Sequence, residues 1–447
     1  MKEKHKKLGE RSINKLLIQL SLPAMLAMTA NAFYNIIDTI FIGKGIGSTG
    51  IAAVSIVMPI MGFVGATANM IGIGAASIFS RKLGEKDMKM VQKVAGNAML
   101  LIISIGIIFA TLGLVFNDAI LELFGTTDAI KPMAVDFSKI IFIGMFWFPF
   151  TMAMNNIVRA EGNAKDAMFA MIIGFILNII FDYIFIFPLN MGIKGAAYAT
   201  LIGKLSGFIY ILYYLKSKRS IIRFDIKNFI LEKTIVKRIF GIGASGFGMR
   251  ASGSIALITI NNVLGSFSSV MAIAVFGIVY RISLVLTMPL FGFNQGMQPI
   301  LGYNFGAKNS NRVKQVIKKT ILFSIITGVV GVVIVELFPR EIFSIFTNEE
   351  ALINQGEKAL AIMVSGMWLM GINITIMGIH QAFGIKTYAF ILAISRWVLF
   401  VLPLIFIIPL LFNNGITGIW FSFPVADVLA AILALILLQR TIKKLHL

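Results

Sequence analysis

Long apolar stretches separated by short polar segments run through the whole chain. A helix needs about 20 mostly apolar residues to cross the hydrocarbon core of a bilayer, which is about 30 Å thick. The alternating apolar and polar strands of about ten residues that a membrane barrel needs are absent from the sequence, so helices are the predicted spanning elements. Twelve spans are predicted, at residues 16–41, 51–79, 92–116, 134–158, 167–187, 192–214, 235–262, 271–292, 314–337, 357–382, 388–410 and 415–438.

The sequence also repeats itself once, with an offset of 222 to 223 residues. Ala52 and Gly74, for example, recur as Ala274 and Gly296. Each half contains six predicted spans, an even number, so both halves enter the membrane from the same side and are expected to be parallel repeats, an arrangement known from secondary transporters. We therefore predict an all-α membrane protein of two pseudo-symmetric six-helix bundles. The N-lobe, with the cytoplasmic N-terminal tail and the start of the linker, is assigned to residues 1–222, and the C-lobe, with the end of the linker and the cytoplasmic C-terminal tail, to residues 223–447.

The composition supports this class and argues against an enzyme. Hydrophobic residues make up 58% of the chain and charged residues 13%, whereas soluble domains contain about 25% charged residues. The chain has no cysteine and three histidines, which argues against disulfides, thiol chemistry and a zinc or haem centre. No nucleophile motif is present either. We predict no catalytic residue, no metal site and no cofactor other than a coupling ion.

The distribution of charge predicts the orientation in the membrane. Basic residues concentrate in the N-terminal tail, the even-numbered loops, the central linker and the C-terminal tail, whereas the odd-numbered loops are acidic or nearly uncharged. By the positive-inside rule both termini and the linker are cytoplasmic. This topology explains the formal net charge of +20 without a nucleic-acid partner. We expect a monomer in the plasma membrane that contacts lipid and small organic cations.

Two acidic residues inside predicted spans are the main candidates for function, because a charge at mid-membrane costs about 2.5 to 3.5 kcal/mol. Asp38 ends a polar stripe on the first span, and Asp182 shares a helix face with Asn178 on the fifth. Thr200 lies about half-way along the sixth span. Together these four side chains could form an oxygen cage for a monovalent cation, or a carboxylate pair that shares a proton.

Helix packing is the alternative role for polar residues in spans, since interhelical hydrogen bonds hold membrane helices together. Two carboxylates in one half favour ion or proton handling instead. The repeat agrees with this, because Asp38 aligns with Ile260 and Asp182 with Leu404. The acidic residues are therefore not needed to build the fold.

Three segments resemble one transporter family. They are LSLPAMLAMTANAFYNIIDTIFIGKGIG at residues 20–47, RAEGNAKDAMFAMIIGFILNIIFDYIFIF at 159–187 and QGMQPILGYNFGAKN at 295–309, the last with its repeat partner GIGAASIFSRKLGEKD at 72–87. The chain is similar over its whole length to the multidrug and toxic compound extrusion (MATE) transporters. The resemblance implies a V-shaped pair of six-helix lobes and antiport of organic cations against sodium ions or protons. It also implies an N-lobe cation site at Asp38, Asn178, Asp182 and Thr200.

Acidic residues that NorM-like members carry on the seventh and tenth helices are missing, because spans 235–262 and 357–382 contain no Asp and only Glu357, at a span edge. This departure favours the MepA-like or DinF-like branch. The expected function is secondary active efflux of lipophilic, mostly cationic drugs in exchange for sodium ions or protons, by alternating access. The alternative is a related flippase of a lipid-linked saccharide or another anionic amphiphile, which Arg250, Arg281 and Arg396 keep open.

Other polar residues in the spans receive subsidiary roles. Lys204 lies one turn beyond Thr200 and could compete with a bound cation or pair structurally. The full assignment is Asn35, Tyr34 and Lys204 as modulators of the cation site, Asn31, Gln295, Gln298 and Tyr303 in the substrate cleft, and Arg396 with Asp427 as a structural intramembrane pair.

Overall fold

The computed structural model describes residues 8–223, 229–267, 270–412 and 415–447, without the side chain of residue 270. Lys2, Lys4, Lys6 and Lys7 of the predicted basic tail, and Lys227 of the linker, lie outside the described residues.

All regular secondary structure in the described part is helical. The first half contains α1 Ile13–Gly45, α2 Ser48–Gly84, α3 Met88–Val115, α4 Asn117–Leu123, α5 Lys131–Gly144, α6 Trp147–Ala160, α7 Ala164–Ile186 and α8 Gly192–Lys216. The second half contains α9 Lys233–Ser266, α10 Val270–Gly306, α11 Ser310–Leu337, α12 Pro339–Ser344, α13 Glu350–Val364, α14 Met367–Phe383, α15 Lys386–Ile394, a π-helical segment Ser395–Val401, α16 Leu402–Ile407, a 3-10 turn Ile408–Leu411 and α17 Gly415–Lys444.

The twelve predicted spans all correspond to helices. Nine helices in the described residues are long and apolar enough to cross a membrane, and two bent pairs raise this number to eleven. The remaining predicted span is α9, which has 34 residues and is long enough to cross, although its polar start lowers its hydropathy. Several helices extend beyond the prediction, most of all α10, which ends at Gly306 rather than at residue 292.

Two of the predicted spans each consist of two helices with a break between them. Helices α5 and α6 form one pair, bent by 44°, and α13 and α14 form the other, bent by 43°. In the first pair Pro149 lacks the N–H that would bond the carbonyl of Met145, the residue at the break. In the second pair the break includes Gly366, where an added Cβ would lie 2.7 Å from the Cα of Pro424. Because the backbones approach so closely, only glycine fits there.

The chain divides into two compact units. Unit 1 comprises Met1–Glu10 and Leu26–Gly243, and unit 2 comprises Arg11–Met25 and Ala244–Leu447. The start of α1 therefore belongs to the unit that contains the second half, and the start of α9 belongs to the unit that contains the first half. These boundaries differ from residues 222 and 223, where the repeat divides, and the assignment of lobes from the repeat stays a prediction.

Close backbone contacts explain where the starts of α1 and α9 pack. In unit 2, a Cβ on Gly296 of α10 would lie 2.5 Å from the Cα of Ser21. In unit 1, a Cβ on Gly74 of α2 would lie 2.0 Å from the carbonyl oxygen of Ile239, at the start of α9. Gly74 and Gly296 are repeat partners, so the duplication carries the same glycine contact into both units.

Each unit has its own apolar core. The core of unit 1 includes Val57, Phe142 and Ala197, and the core of unit 2 includes Phe276 and Trp420. Large apolar side chains are also exposed at helical spacing, for example Leu322, Ile326, Val330 and Ile334 along α11. A stripe of this kind is expected on a helix that faces lipid rather than water.

Candidate functional site

The candidate cation site lies within unit 1, where α1, α7 and α8 meet. Helices α7 and α8 cross closely because two glycines face each other. A Cβ on Gly203 would lie 2.6 Å from the carbonyl oxygen of Gly174 and 2.9 Å from the Cβ of Asn178. This contact brings Asn178 beside Thr200, and the Nδ2 of Asn178 donates a long hydrogen bond of 3.4 Å to the Thr200 Oγ1. Two of the predicted site residues are therefore held together by a close helix crossing.

The carboxyl group of Asp38 on α1 lies within hydrogen-bonding reach of the carboxyl group of Asp182 on α7. Asp182 is fully buried and Asn178 is 2% exposed, whereas Asp38 is half-buried. Four buried oxygens at this place, Oδ1 of Asp38, Oδ1 of Asn178 and both carboxylate oxygens of Asp182, lack a hydrogen-bond donor among the described residues. The structure thus brings all four predicted residues together around a set of oxygen acceptors.

Buried acceptors without donors are costly, since each loses its hydrogen bonds to water. Two carboxylates at hydrogen-bonding distance also repel each other unless a proton or a cation lies between them. The arrangement is therefore chemically suited to bind one positive charge. Elsewhere, His, Cys, Asp and Glu side chains do not gather in groups of three in the part of the chain that the structure describes.

Tyr34 and Lys204, two of the predicted modulators, border this cluster. The Tyr34 hydroxyl lies within reach of Thr200, and its ring stacks on Phe175 with 5.1 Å between centroids. The Lys204 Nζ lies 5.3 Å from the centroid of the Tyr34 ring and 4.9 Å from that of Phe148. Lys204 interacts electrostatically with Asp38, but no salt bridge joins it to a described carboxylate.

Asn35, the third predicted modulator, has another partner. Its Nδ2 donates to the carbonyl oxygen of Asn31 at 2.7 Å, one turn earlier on α1. The Thr39 Oγ1 in turn donates to the carbonyl of Asn35 at 2.8 Å. Bonds of this type hold a side chain against its own helix, so this amide group points along α1.

The predicted cleft residues are divided between the two units. Asn31 belongs to unit 1, whereas Gln295, Gln298 and Tyr303 belong to unit 2. Gln298 donates from Nε2 to the Oε1 of Gln381 at 2.7 Å, and Tyr303 is only 6% exposed. These two residues contribute to the packed interior of unit 2, while their role in a cleft stays a prediction.

Arg396 and Asp427 contact each other in unit 2. The Arg396 Nε donates to the Asp427 Oδ1 at 2.5 Å, and a second nitrogen lies 3.4 Å from Oδ2. Arg396 is 9% exposed and Asp427 is 1% exposed. The fork geometry is the one that guanidinium and carboxylate groups prefer.

A further buried acid, Glu161, did not stand out in the sequence. It follows α6, is 2% exposed, and accepts hydrogen bonds from the Tyr214 hydroxyl at 2.7 Å and the Ser220 hydroxyl at 2.8 Å. The backbone N–H of Ile221 also donates to it at 3.3 Å. Glu161 thereby anchors the start of the central linker to unit 1. In the sequence Glu161 follows the end of a predicted span and would be assigned to a loop. Only the RAEGN motif draws attention to this residue.

Comparison with known proteins gives a consistent result. A family model described as MatE matches residues 23–184 and 249–407. The chain is 28% identical over 423 residues to the multidrug export protein MepA of Staphylococcus aureus strain MRSA252, over 95% of this chain and 93% of that protein. These matches confirm the resemblance noted in the sequence, including its MepA-like character.

Solved structures agree with the sequence relatives. A MATE transporter crystallised in complex with MaD3S superposes with a TM-score of 0.93 at 26% identity and covers 98% of both chains. A MOP superfamily transporter from Pyrococcus furiosus, for which the reverse polarity of the binding pocket suggests a different function, superposes with a TM-score of 0.92 at 26% identity over 99% of this chain and 98% of that one.

The fold with twelve helices in two bundles is that of the MATE structures, and members of this family are membrane-embedded transporters rather than enzymes. With the family model matching most of its length, the chain belongs to the MatE family, the multidrug and toxic compound extrusion transporters.

Proposed function

We propose that this protein is a secondary active multidrug efflux antiporter. It exports lipophilic, mostly cationic compounds in exchange for sodium ions or protons by alternating access. The MepA relatives, which are multidrug export proteins, support the efflux part of this proposal. The observation that carries the coupling part is the facing pair of carboxyl groups on Asp38 and Asp182, with buried oxygens that have no donor among the described residues.

The site can couple ion entry to drug release because its four residues lie on three helices, α1, α7 and α8. One proton or sodium ion between Asp38 and Asp182 removes their mutual repulsion and draws α1 towards α7. Asn178 and Thr200 add two further oxygens for a sodium ion. An ion that binds one conformation more tightly shifts the population towards it. The membrane potential can drive this step, since one charge crossing 100 mV is worth about 2.3 kcal/mol.

Removing either carboxylate tests the coupling site. In vesicles that hold equal amounts of protein, Asp38→Asn and Asp182→Asn should each reduce ion-driven ethidium transport to a small residual rate. Asp136→Asn is the matched control, because Asp136 is 43% exposed and pairs with Lys194 at the surface of unit 1. Normal transport by both site variants would refute the assignment.

Imposing one ion gradient at a time identifies the coupling ion. A sodium gradient at equal pH and a pH gradient without sodium should not drive ethidium transport equally. A four-oxygen cage favours sodium, whereas a pair that shares a proton needs no other ligand. The wild-type response to each gradient identifies the ion, and loss of that response in Asp38→Asn links it to the site.

We propose that the protein is a monomer in the plasma membrane, in contact with lipid and without a nucleic-acid partner. Both termini are cytoplasmic, in line with the basic tails. The absence of cysteine from the chain makes this orientation easy to test. A single cysteine replacing Leu447 should react with an impermeant maleimide only in inverted vesicles, whereas one replacing Asp128 should react only in intact cells.

A flippase of a lipid-linked saccharide or another anionic amphiphile is the second candidate. It is favoured by Arg250, an arginine within a span that forms no salt bridge with a described residue. Export of ethidium without movement of a fluorescent lipid pyrophosphate in the same vesicles would exclude it.

A further inference from the structure

The close crossing of α2 and α9 in unit 1 brings two arginines together. A Cβ on Gly243 would lie 1.8 Å from the carbonyl oxygen of Met70, and a Cβ on Gly74 would lie 2.0 Å from that of Ile239. The two helices therefore run antiparallel along this face. Arg81 lies two turns after Gly74 on the same face of α2, so it also faces α9.

The directions of the side chains bring the two guanidinium groups towards each other. Side chains of a helix lean towards its N-terminus. Arg81 accordingly folds back along α2, and its Nε donates to the carbonyl oxygen of Ser77 at 3.2 Å. Arg238, next to Ile239, leans towards the start of α9, which runs in the opposite direction. The charges of Arg81 and Arg238 lie close enough to interact.

Acidic residues nearby are engaged by lysines. The charge of Glu85 also interacts with that of Arg81, but its carboxylate lies 2.5 Å from the Nζ of Lys82. Glu232, just before α9, pairs with Lys93 at 2.6 Å. Neither Arg81 nor Arg238 forms a salt bridge with a described residue. The two arginines therefore carry two positive charges that no described carboxylate neutralises by direct contact.

Comparison of the repeats shows that the helix crossing does not need these arginines. At the offset of 222 residues, Arg81 aligns with Tyr303 and Arg238 with Leu16. Both of these residues are buried in unit 2, whereas Arg81 is half-buried and Arg238 is exposed. Unit 1 thus has an accessible, doubly charged surface where unit 2 has packed side chains. This difference indicates a role in binding rather than in folding.

The two arginines lie near the end of the helices that we assign to the cytoplasmic face. Arg81 is in the last turn of α2 and Arg238 is in the second turn of α9, beside the basic loops that predict this face. Ile230 and Leu231, just before α9, are 63% and 50% exposed. Exposed apolar side chains beside a basic surface are expected where a protein contacts a membrane.

We propose that Arg81 and Arg238, here named the arginine pair, bind the phosphate of an anionic phospholipid. Two guanidinium groups offer forked donors that match phosphate oxygens. Phosphatidylglycerol brings a net negative charge to the pair, whereas the choline of phosphatidylcholine adds a positive charge that the pair repels. Basic pockets between membrane helices on the cytoplasmic side bind anionic headgroups in this way. This binding goes beyond the proposed antiport and does not depend on transport.

Native mass spectrometry of the purified protein in a neutral detergent tests the proposal. Titration with phosphatidylglycerol and with phosphatidylcholine gives the Kd of the first bound molecule of each lipid. One basic residue near an anionic headgroup is worth about fivefold in affinity. Arg81→Gln and Arg238→Gln should therefore each raise the Kd for phosphatidylglycerol about fivefold. Their Kd for phosphatidylcholine should stay at the wild-type value, which also shows that the variants are folded.

Lys216→Gln is the matched control, because Lys216 is an exposed basic residue at the end of α8, another helix of unit 1. It removes the same charge and should leave both Kd values unchanged. The double variant Arg81→Lys/Arg238→Lys keeps both charges without the forks. It should weaken phosphatidylglycerol binding less than either glutamine variant does.

Two results would overturn the arginine pair as a lipid site. The first is an equal effect of Lys216→Gln and Arg81→Gln on the Kd for phosphatidylglycerol, which would mean that the basic surface acts as a whole. The second comes from adding ammonium phosphate at constant ionic strength. If inorganic phosphate displaces phosphatidylglycerol from the wild type as strongly as Arg81→Gln weakens its binding, the occupant is a soluble phosphate and not a lipid.

Discussion

Asp38 and Asp182 face each other across α1 and α7 with their carboxyl groups in hydrogen-bonding reach. Residues that bind one ion together act as a unit, and their replacements are then not additive. We therefore expect the double variant Asp38→Asn/Asp182→Asn to transport ethidium no more slowly than the worse of the two single variants. Initial rates in vesicles measure this.

The same double variant also tests whether the pair carries one charge. If each acid bound its own ion, the effects of the two single replacements would multiply. A shared site would be contradicted if each replacement lowered the transport rate by the same factor in the wild type and in the other single variant.

Lys204 lies next to the pair and interacts electrostatically with Asp38. Its ammonium group competes with a bound cation for the same carboxylate, so Lys204→Met should lower the ion concentration needed for half-maximal transport, by about tenfold for a coupling of about 1.4 kcal/mol. Lys204→Arg keeps the charge and should leave this concentration nearly unchanged. A higher ion requirement in Lys204→Met would show that the lysine assists binding.

Much of the fold follows from the sequence because the membrane imposes length and polarity on each span. The sequence also singles out Asp38 and Asp182 as candidates, since acids at mid-membrane are rare and costly, and the structure places their carboxyl groups close together. Pro149 marks a possible break in its span, but the apolar run continues through Met145, so hydropathy does not show that the helix breaks there. Packing of the start of α1 in unit 2 depends on contacts such as Gly296 with Ser21, which hydropathy does not encode.

Glu161 shows the same limit at the level of side chains. The partners of Glu161, Tyr214 and Ser220, lie more than fifty residues away in sequence.

Gly203 controls the distance between α7 and α8. A Cβ there would lie 2.6 Å from the carbonyl oxygen of Gly174, which is backbone and cannot rotate away. Gly203→Ala should push the helices apart and separate Asn178 from Thr200, so ion-driven transport should fall while the protein still inserts. Transport rate at matched expression measures this, with Gly62→Ala as the control because a Cβ on Gly62 meets no atom within 4 Å. Equal rates for both variants would contradict the role of the crossing.

Glu161 should control the stability of the linker start rather than the coupling ion. Glu161→Ala removes the acceptor for Tyr214, Ser220 and the N–H of Ile221, so the segment after α8 should open more often. Trypsin should then cut faster at Lys218, Arg219 and Arg223 than in the wild type. Glu161→Gln retains one acceptor oxygen and should give an intermediate rate. An unchanged cleavage rate in Glu161→Ala would show that other contacts hold the linker.

The buried pair of Arg396 and Asp427 makes a prediction about stability that differs for single and double variants. Arg396→Met alone leaves Asp427, which is 1% exposed, without its partner, and breaking such a pair costs about 3 to 5 kcal/mol. The double variant Arg396→Met/Asp427→Leu replaces both charges by apolar groups and should recover most of this loss. The Tm of each purified protein in the same detergent measures its stability. Arg396→Met should have the lowest Tm of the three proteins. A double variant that melts as low as Arg396→Met would mean that the pair stabilises unit 2 beyond neutralising its own charges.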